Sequence, residues 1–131
     1  MRVLALDAEG RLLLVRHSYG TSAWMPPGGG LRRGEDPLVA GPRELREETG
    51  CLLRDARLLE IRAEDLHGAD NLVNIVAGMA QGEAVPDGRE IVACRFFALD
   101  ALPAELLRGH REALPLWVAN YQAAQGRPPR R

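Results

Sequence analysis

Three glutamates, Glu44, Glu47 and Glu48, stand three and four residues apart in the segment PRELREETG. On an α-helix this spacing puts all three on one face, about one turn apart. Like charges so placed repel by about 0.2–0.5 kcal/mol per pair, even on a solvated surface. A helix carrying them has to turn its other side to a core. Leu38, Leu45 and Leu52, seven residues apart, predict that core-facing stripe over a helix from Asp36 to Thr49. Gly50 stands where a C-cap belongs. Pro42 disturbs the pattern, because a proline in a helix interior costs about 3 kcal/mol. It predicts either a kink near Gly41 or a helix that starts late, with residues 44–48 regular after it.

The segments around this helix have a layered order. RVLAL, DAEG and RLLLVR read as two strands joined by a tight turn ending at Gly10. HSYGTSAWMPPGGG reads as loop. LLRDARLLEIRAE and NLVNIVAGMA read as strands, AQGEAVPDG as loop, and EIVACRFFAL as a further strand. LPAELLRGHREALPLWVANYQAAQ predicts one helix, or two broken near Pro115. Residues 1–125 then form one domain, and GRPPRR (126–131) is expected to be a disordered tail. The fold class is α/β (α+β), with a mixed sheet.

Charge and composition narrow the function. A formal net charge of −1 argues against polymeric nucleic acid or an anionic membrane as partner. All 17 basic residues are Arg. Without Lys, Schiff-base chemistry and the P-loop are excluded. Cys51 and Cys94 lack metal-ligand spacing and read as small apolar residues. No apolar run reaches the length of a membrane span, and nothing at the start resembles a signal peptide, so the expected location is cytoplasmic.

Taken alone, the acidic face could be a solvated helix surface with an Arg43–Glu47 ion pair. The residues before it change that reading. Gly29, Glu35, Arg43, Glu44, Glu47, Glu48 and Gly50 fall in the pattern G-x5-E-x7-R-E-U-x-E-E-x-G-U, with Leu45 and Cys51 in the apolar slots. This resembles the Nudix box of the Nudix hydrolase family (MutT-like), with Cys at a slot that is usually aliphatic. The resemblance implies an α/β/α sandwich in which a loop–helix–loop carries metal ions. It also implies Glu44, Glu47 and Glu48 as metal ligands, and Glu35 paired with Arg43 to brace loop against helix. Gly28, Gly29 and Gly30 would let the backbone approach the phosphates. A dinucleotide fingerprint does not fit, because no G-x-G-x-x-G links a strand directly to a helix.

The chemistry agrees with the resemblance. Hard carboxylate oxygens suit Mg²⁺ or Mn²⁺. Two carboxylates at short range repel by about 4 kcal/mol at an effective dielectric of ~20, a strain that a cation relieves. The expected function is an Mg²⁺-dependent pyrophosphohydrolase cleaving a nucleoside diphosphate linked to another moiety, such as a nucleoside triphosphate or nucleotide sugar. The alternative is a non-catalytic nucleotide-binding or regulatory module of the same fold; under either reading the protein is expected to be a monomer or homodimer.

The resemblance also implies a further acidic residue from a late loop, as metal ligand or general base; Glu90 is the candidate, with Asp87 and Glu83 as rivals. His17 and Trp24 are candidate substrate contacts; Tyr19 could also stack on a base. His67 and His110 share no ligand spacing with His17, and Phe96, Phe97 and Trp117 are expected in the core. The substrate is left open. The SQPWPxPxS motif of NADH-type relatives is absent. Where some subfamilies carry Pro or Tyr after the box, this chain has Leu66 and Gly68, which weakens ADP-ribose and diadenosine-polyphosphate assignments.

Overall fold

The computed structural model describes residues 1–66 and 69–126, and for 60–72 the backbone alone. His67 and all of the expected tail but Gly126 therefore lie outside the described residues. Seven elements follow in order: β1 (Arg2–Leu6), β2 (Leu12–His17), α1 (Pro37–Thr49), β3 (Leu52–Leu66), β4 (Ala69–Gln81), β5 (Ile91–Phe97) and α2 (His110–Gln125). The strands form one mixed sheet in the order β3-β4-β1-β2-β5. β1 runs parallel to β4, and the other pairs are antiparallel.

The central strands β1 and β2 are apolar at nearly every position because both faces are covered. Alternation then divides them. Leu4, Leu6, Leu12 and Leu14 face α2, packing with Leu114, Trp117, Val118 and Tyr121. Val3, Ala5 and Leu13 face α1, packing with Leu45 and with Cys51 just beyond it. The result is the expected α/β/α sandwich. Phe97 packs against the α2-side cluster and Phe96 against the α1-side cluster, each partly buried.

The predicted leucine stripe of α1 is corrected at two of three positions. Leu45 is fully buried, but Leu38 is 40% and Leu52 51% exposed. The helix buries Ala40, Gly41, Leu45, Glu48 and Thr49 instead. Small residues let it lie close to the sheet. A Cβ on Gly41 would stand 3.2 Å from Val76 Cγ1, tighter than ordinary van der Waals contact.

The helix does not start late. Asp36 caps it, its side chain accepting from the Leu38 N–H at 2.9 Å. Pro37 takes the first position, where the missing N–H has no partner to lose. Pro42 stands inside the helix. It removes the bond residue 42 would donate to Leu38, in a turn where Leu38 and Val39 are exposed.

The C-terminal segment is also corrected. α2 is one helix running through Pro115, and residues 102–108 are not helical. Burying Leu114, Trp117, Val118 and Tyr121, worth about 1.5–3 kcal/mol each, offsets what the proline costs. β3 bulges at Asp55, whose φ is +53° and whose carbonyl accepts from the Tyr121 hydroxyl at 2.8 Å. No helix among the described residues is long and apolar enough to cross a membrane.

Candidate active site

The last two turns of α1, the glycine loop, the end of β2 and the β4–β5 loop meet at one place. Glu44, Glu47, Glu48, Asp87, Arg89 and Glu90 line an open cleft of about 450 Å³ there. Glu48 is its innermost group, only 4% exposed. Its Oε2 accepts the Gly28 N–H at 3.0 Å, and its Oε1 lies 3.9 Å from His17 Nε2. Burial pushes the Glu48 carboxyl up to about 8, opposed by the Gly28 hydrogen bond and reinforced by Glu44, Glu90 and Asp87. The Glu44 carboxyl is also raised, first by burial, then by Glu47 and Glu90, with Arg43 acting against both.

Arg43 and Glu35 pair as expected, in a fork. Arg43 Nε donates to Glu35 Oε2 at 3.1 Å and Nη2 to Oε1 at 3.0 Å. The hydrogen bonds from Arg43 hold Glu35 below the usual carboxylate range. The remaining nitrogen, Nη1, donates to Glu44 Oε1 at 3.2 Å and to Glu47 at 3.4 Å. The interior Pro42 has not displaced this pair.

The glycines differ in role. Gly28 binds Glu48, and a Cβ on it would collide with the Met1 carbonyl oxygen at 2.0 Å. A Cβ on Gly29 would stand 2.8 Å from Glu44 Oε1, so a larger residue there would push that carboxylate aside. Gly30 is exposed with open space around it. His17 lines a second cleft of about 240 Å³ with Arg2, Met25, Pro26, Gly28 and Gly29. Tyr19, 64% exposed, meets the His17 ring edge-on at 5.8 Å.

Trp24 is placed elsewhere. It packs on the α2-side core, edge-on to Phe97 at 5.0 Å, with the Arg16 guanidinium over its ring at 5.5 Å. Neither cleft includes it. Glu83 is likewise not in the carboxylate cleft, whereas Glu90 and Asp87 both are. His110 is buried edge-on to Trp117, on the α2 side. Cys51 is buried and Cys94 half-buried, both as free thiols. Arg89 is the lining residue that sequence reasoning missed.

Among the described residues, no three of His, Cys, Asp or Glu stand close enough to share one metal ion as their side chains lie. The hydrogen bonds give the reason. Arg43 holds Glu44 and Glu47, while Glu48 is turned to Gly28 and His17. The donor set still suits a hard divalent cation in kind. Its oxygens are carboxylate, and a carboxyl held up near 8 beside three other acids lacks compensating positive charge.

Comparison with known proteins agrees with this arrangement. The family model for the NUDIX domain matches residues 1–117. The chain belongs to the Nudix domain family. It is 26% identical to the MutT NUDIX hydrolase of Burkholderia pseudomallei, with a TM-score of 0.70 over 91% of this chain and 96% of that one. A UDP-X diphosphatase superposes with a TM-score of 0.73 at 26% identity, over 95% of this chain and 63% of that one. An RNA pyrophosphohydrolase of Saccharophagus degradans is 39% identical over 59 residues, 45% of this chain and 35% of the relative. The chain thus spans about a third of the length of the curated relatives it matches first. The Nudix box itself is the segment Gly29 to Cys51, which gives the carboxylate cleft Glu44, Glu47 and Glu48.

Proposed function

We propose that this Nudix domain is a divalent-metal-dependent pyrophosphohydrolase that cleaves a nucleoside diphosphate linked to another moiety. One observation carries the reading: the box glutamates meet Glu90 at a single cleft instead of dispersing as a solvated face, and burial there, then the neighbouring carboxylates including Glu90, pushes the Glu44 and Glu48 carboxyls up.

Glu44, Glu47 and Glu48 would hold Mg²⁺ or Mn²⁺, with the first two turning from Arg43 toward the cleft. Bound there, the cation supplies charge screening for the phosphates and a more acidic water. The remaining roles belong to the chain. Arg43, anchored by its fork to Glu35, keeps the loop docked on the helix while its third nitrogen exchanges partners. Gly28 fixes Glu48 through its N–H, and Gly29 and Gly30 bring exposed backbone to the substrate. Glu90 is our candidate acceptor for the proton of the attacking water. His17, beside Glu48 in the neighbouring cleft, is our candidate contact to the rest of the substrate.

The linked moiety spans a defined set. The names of the superposed UDP-X diphosphatase and of the RNA pyrophosphohydrolases support both nucleotide derivatives and RNA ends. Net charge is therefore no ground for leaving RNA out. The test is a screen of nucleoside di- and triphosphates, sugar nucleotides, dinucleotides and 5′-triphosphorylated RNA with Mg²⁺ or Mn²⁺, detecting released phosphate species. Turnover of one class that disappears on chelation supports the reading. Nucleotide binding that ignores the metal, with no product from any substrate, would replace it with the non-catalytic module.

A further inference from the structure

The second half of the β4–β5 loop is fastened on two sides. The Val85 N–H donates to the Thr49 carbonyl at 2.9 Å and the Asp87 N–H to the Glu48 carbonyl at 3.1 Å. These are carbonyls of the last turn of α1, which the helix itself cannot satisfy. Opposite them, the Ser18 N–H donates to the Glu90 carbonyl at 2.8 Å, and the Ser18 hydroxyl to the Arg89 carbonyl at 2.9 Å. Between the anchors, Asp87 Oδ1 accepts the N–H groups of Arg89 at 2.8 Å and Ile91 at 2.9 Å. The main chain at 89 and 90 is thereby fixed, and both residues line the carboxylate cleft.

Charge gives this placement its meaning. Of the described residues lining that cleft, Arg89 alone is positive. A phosphoric anhydride is a polyanion, and the wall it approaches carries five acidic side chains. Arg43 is tied to Glu35 by two of its nitrogens and does not line this cleft. The Arg89 guanidinium has the planar fork that matches phosphate oxygens. We propose that Arg89 is a substrate-binding residue that takes a phosphate of the substrate, and that Asp87 positions it. This rests on the pyrophosphohydrolase reading and adds its anion contact. It also removes Asp87 from the candidates for proton acceptor. Its Oδ1 is engaged by two backbone N–H groups.

The test uses calorimetric binding of non-hydrolysable methylene-bridged adenosine and guanosine triphosphates with Mg²⁺, beside steady-state kinetics on a turned-over substrate. Arg89→Ala should weaken binding and raise KM by about tenfold or more, with kcat changed less, as expected for losing a charged hydrogen bond. Arg89→Lys should recover part of the loss, and Arg108→Ala, an exposed charge outside the cleft, should match wild type. Asp87→Ala should reproduce the affinity loss, and the double variant should add nothing to it. Unchanged binding in Arg89→Ala overturns the phosphate contact; additive losses overturn the positioning role. A wild type that binds the analogues but hydrolyses no anhydride sinks the reading of activity and leaves Arg89 to be judged by calorimetry. A wild type that does neither overturns both.

Discussion

The two faces of the sheet are built from different material. On the α2 side, leucines of β1 and β2 meet Trp117, Tyr121, Leu114 and Val118 in a thick apolar layer. On the α1 side the layer is thin: Val3, Ala5, Leu13, Leu45 and Cys51, with Gly41 against Val76 and the buried carboxyl of Glu48 in the same helix. One face gains stability from area removed from water, and the other holds charge that folding alone does not favour. The thick face lets the thin one carry a strained acidic helix.

Paired substitutions test that division most severely. Glu48→Gln keeps an oxygen for the Gly28 N–H and removes a buried carboxyl whose ionisation the cluster of acids disfavours. Turnover should fall by at least about a thousandfold, the scale of losing several kcal/mol of transition-state stabilisation, with the melting temperature at pH 7.5 equal or higher. Trp117→Ala empties part of the thick layer and should cost about 3–5 kcal/mol in denaturant unfolding. The fraction still folded should keep its kcat. If Glu48→Gln unfolds the protein, or Trp117→Ala spares stability and lowers kcat, the division of labour is wrong.

A smaller effect should appear with pH in chelator. The folded Glu48 carboxyl ionises near 8, against an ordinary 4.5, so the folded protein keeps a proton that the unfolded chain has released. Stability from this group is fully present below about 4.5 and is lost as pH rises toward 8. Glu44, also raised by burial, acts in the same direction. Glu35 and Asp87, held low, act oppositely, and their contribution is lost on acidification. The melting temperature of the metal-free protein should therefore fall from pH 5 to pH 8.5, and more steeply than that of Glu48→Gln. Equal slopes for the two would sink the assignment of a strained carboxyl to Glu48.

The same contrast explains what could be read from the sequence. The glutamate face, the Glu35–Arg43 pair and Gly50 (φ +77°) as C-cap were legible because they are local, fixed by spacing along one helix and its flanking loop. The side of α1 that meets the sheet was not. Leu38 and Leu52 gave a stronger apolar signal than Ala40 and Gly41, but close approach to Val76 favours small residues. Asp36 as cap and Pro37 as first residue are equally local, an N-cap acid directly before a proline, and the second proline at 42 masks them by suggesting a later start. Arg89 was invisible for another reason. Its place in the cleft is set by contacts to Ser18, Glu48 and Thr49, far away in the chain, and only the Asp-Gly turn at 87–88 is marked locally. The non-helical run at 102–108, apolar and containing one proline, reads as helix until Trp24 is seen bonding its backbone to Glu105 and Leu107.

Pro42 supplies the finest probe of the thin face. A proline inside a helix is about 3 kcal/mol worse than alanine, because it lacks the N–H and crowds the preceding turn. Two effects reduce that figure here. The carbonyl it leaves without a partner belongs to Leu38, in an exposed turn, and proline narrows the unfolded ensemble by about 0.4–1 kcal/mol. Its ring also forms one wall of a cleft with Arg46, Leu52 and Leu53, a contact that alanine would shorten. Pro42→Ala should then stabilise the protein by about 1 kcal/mol in denaturant unfolding, with kcat unchanged, because Arg43 to Glu48 lie in the regular helix after it. A loss of stability would show that the ring's packing outweighs the missing hydrogen bond. A fall in kcat alongside a gain in stability would show that the proline sets the angle of the glutamate face, making it part of the site instead of a burden the thick face carries.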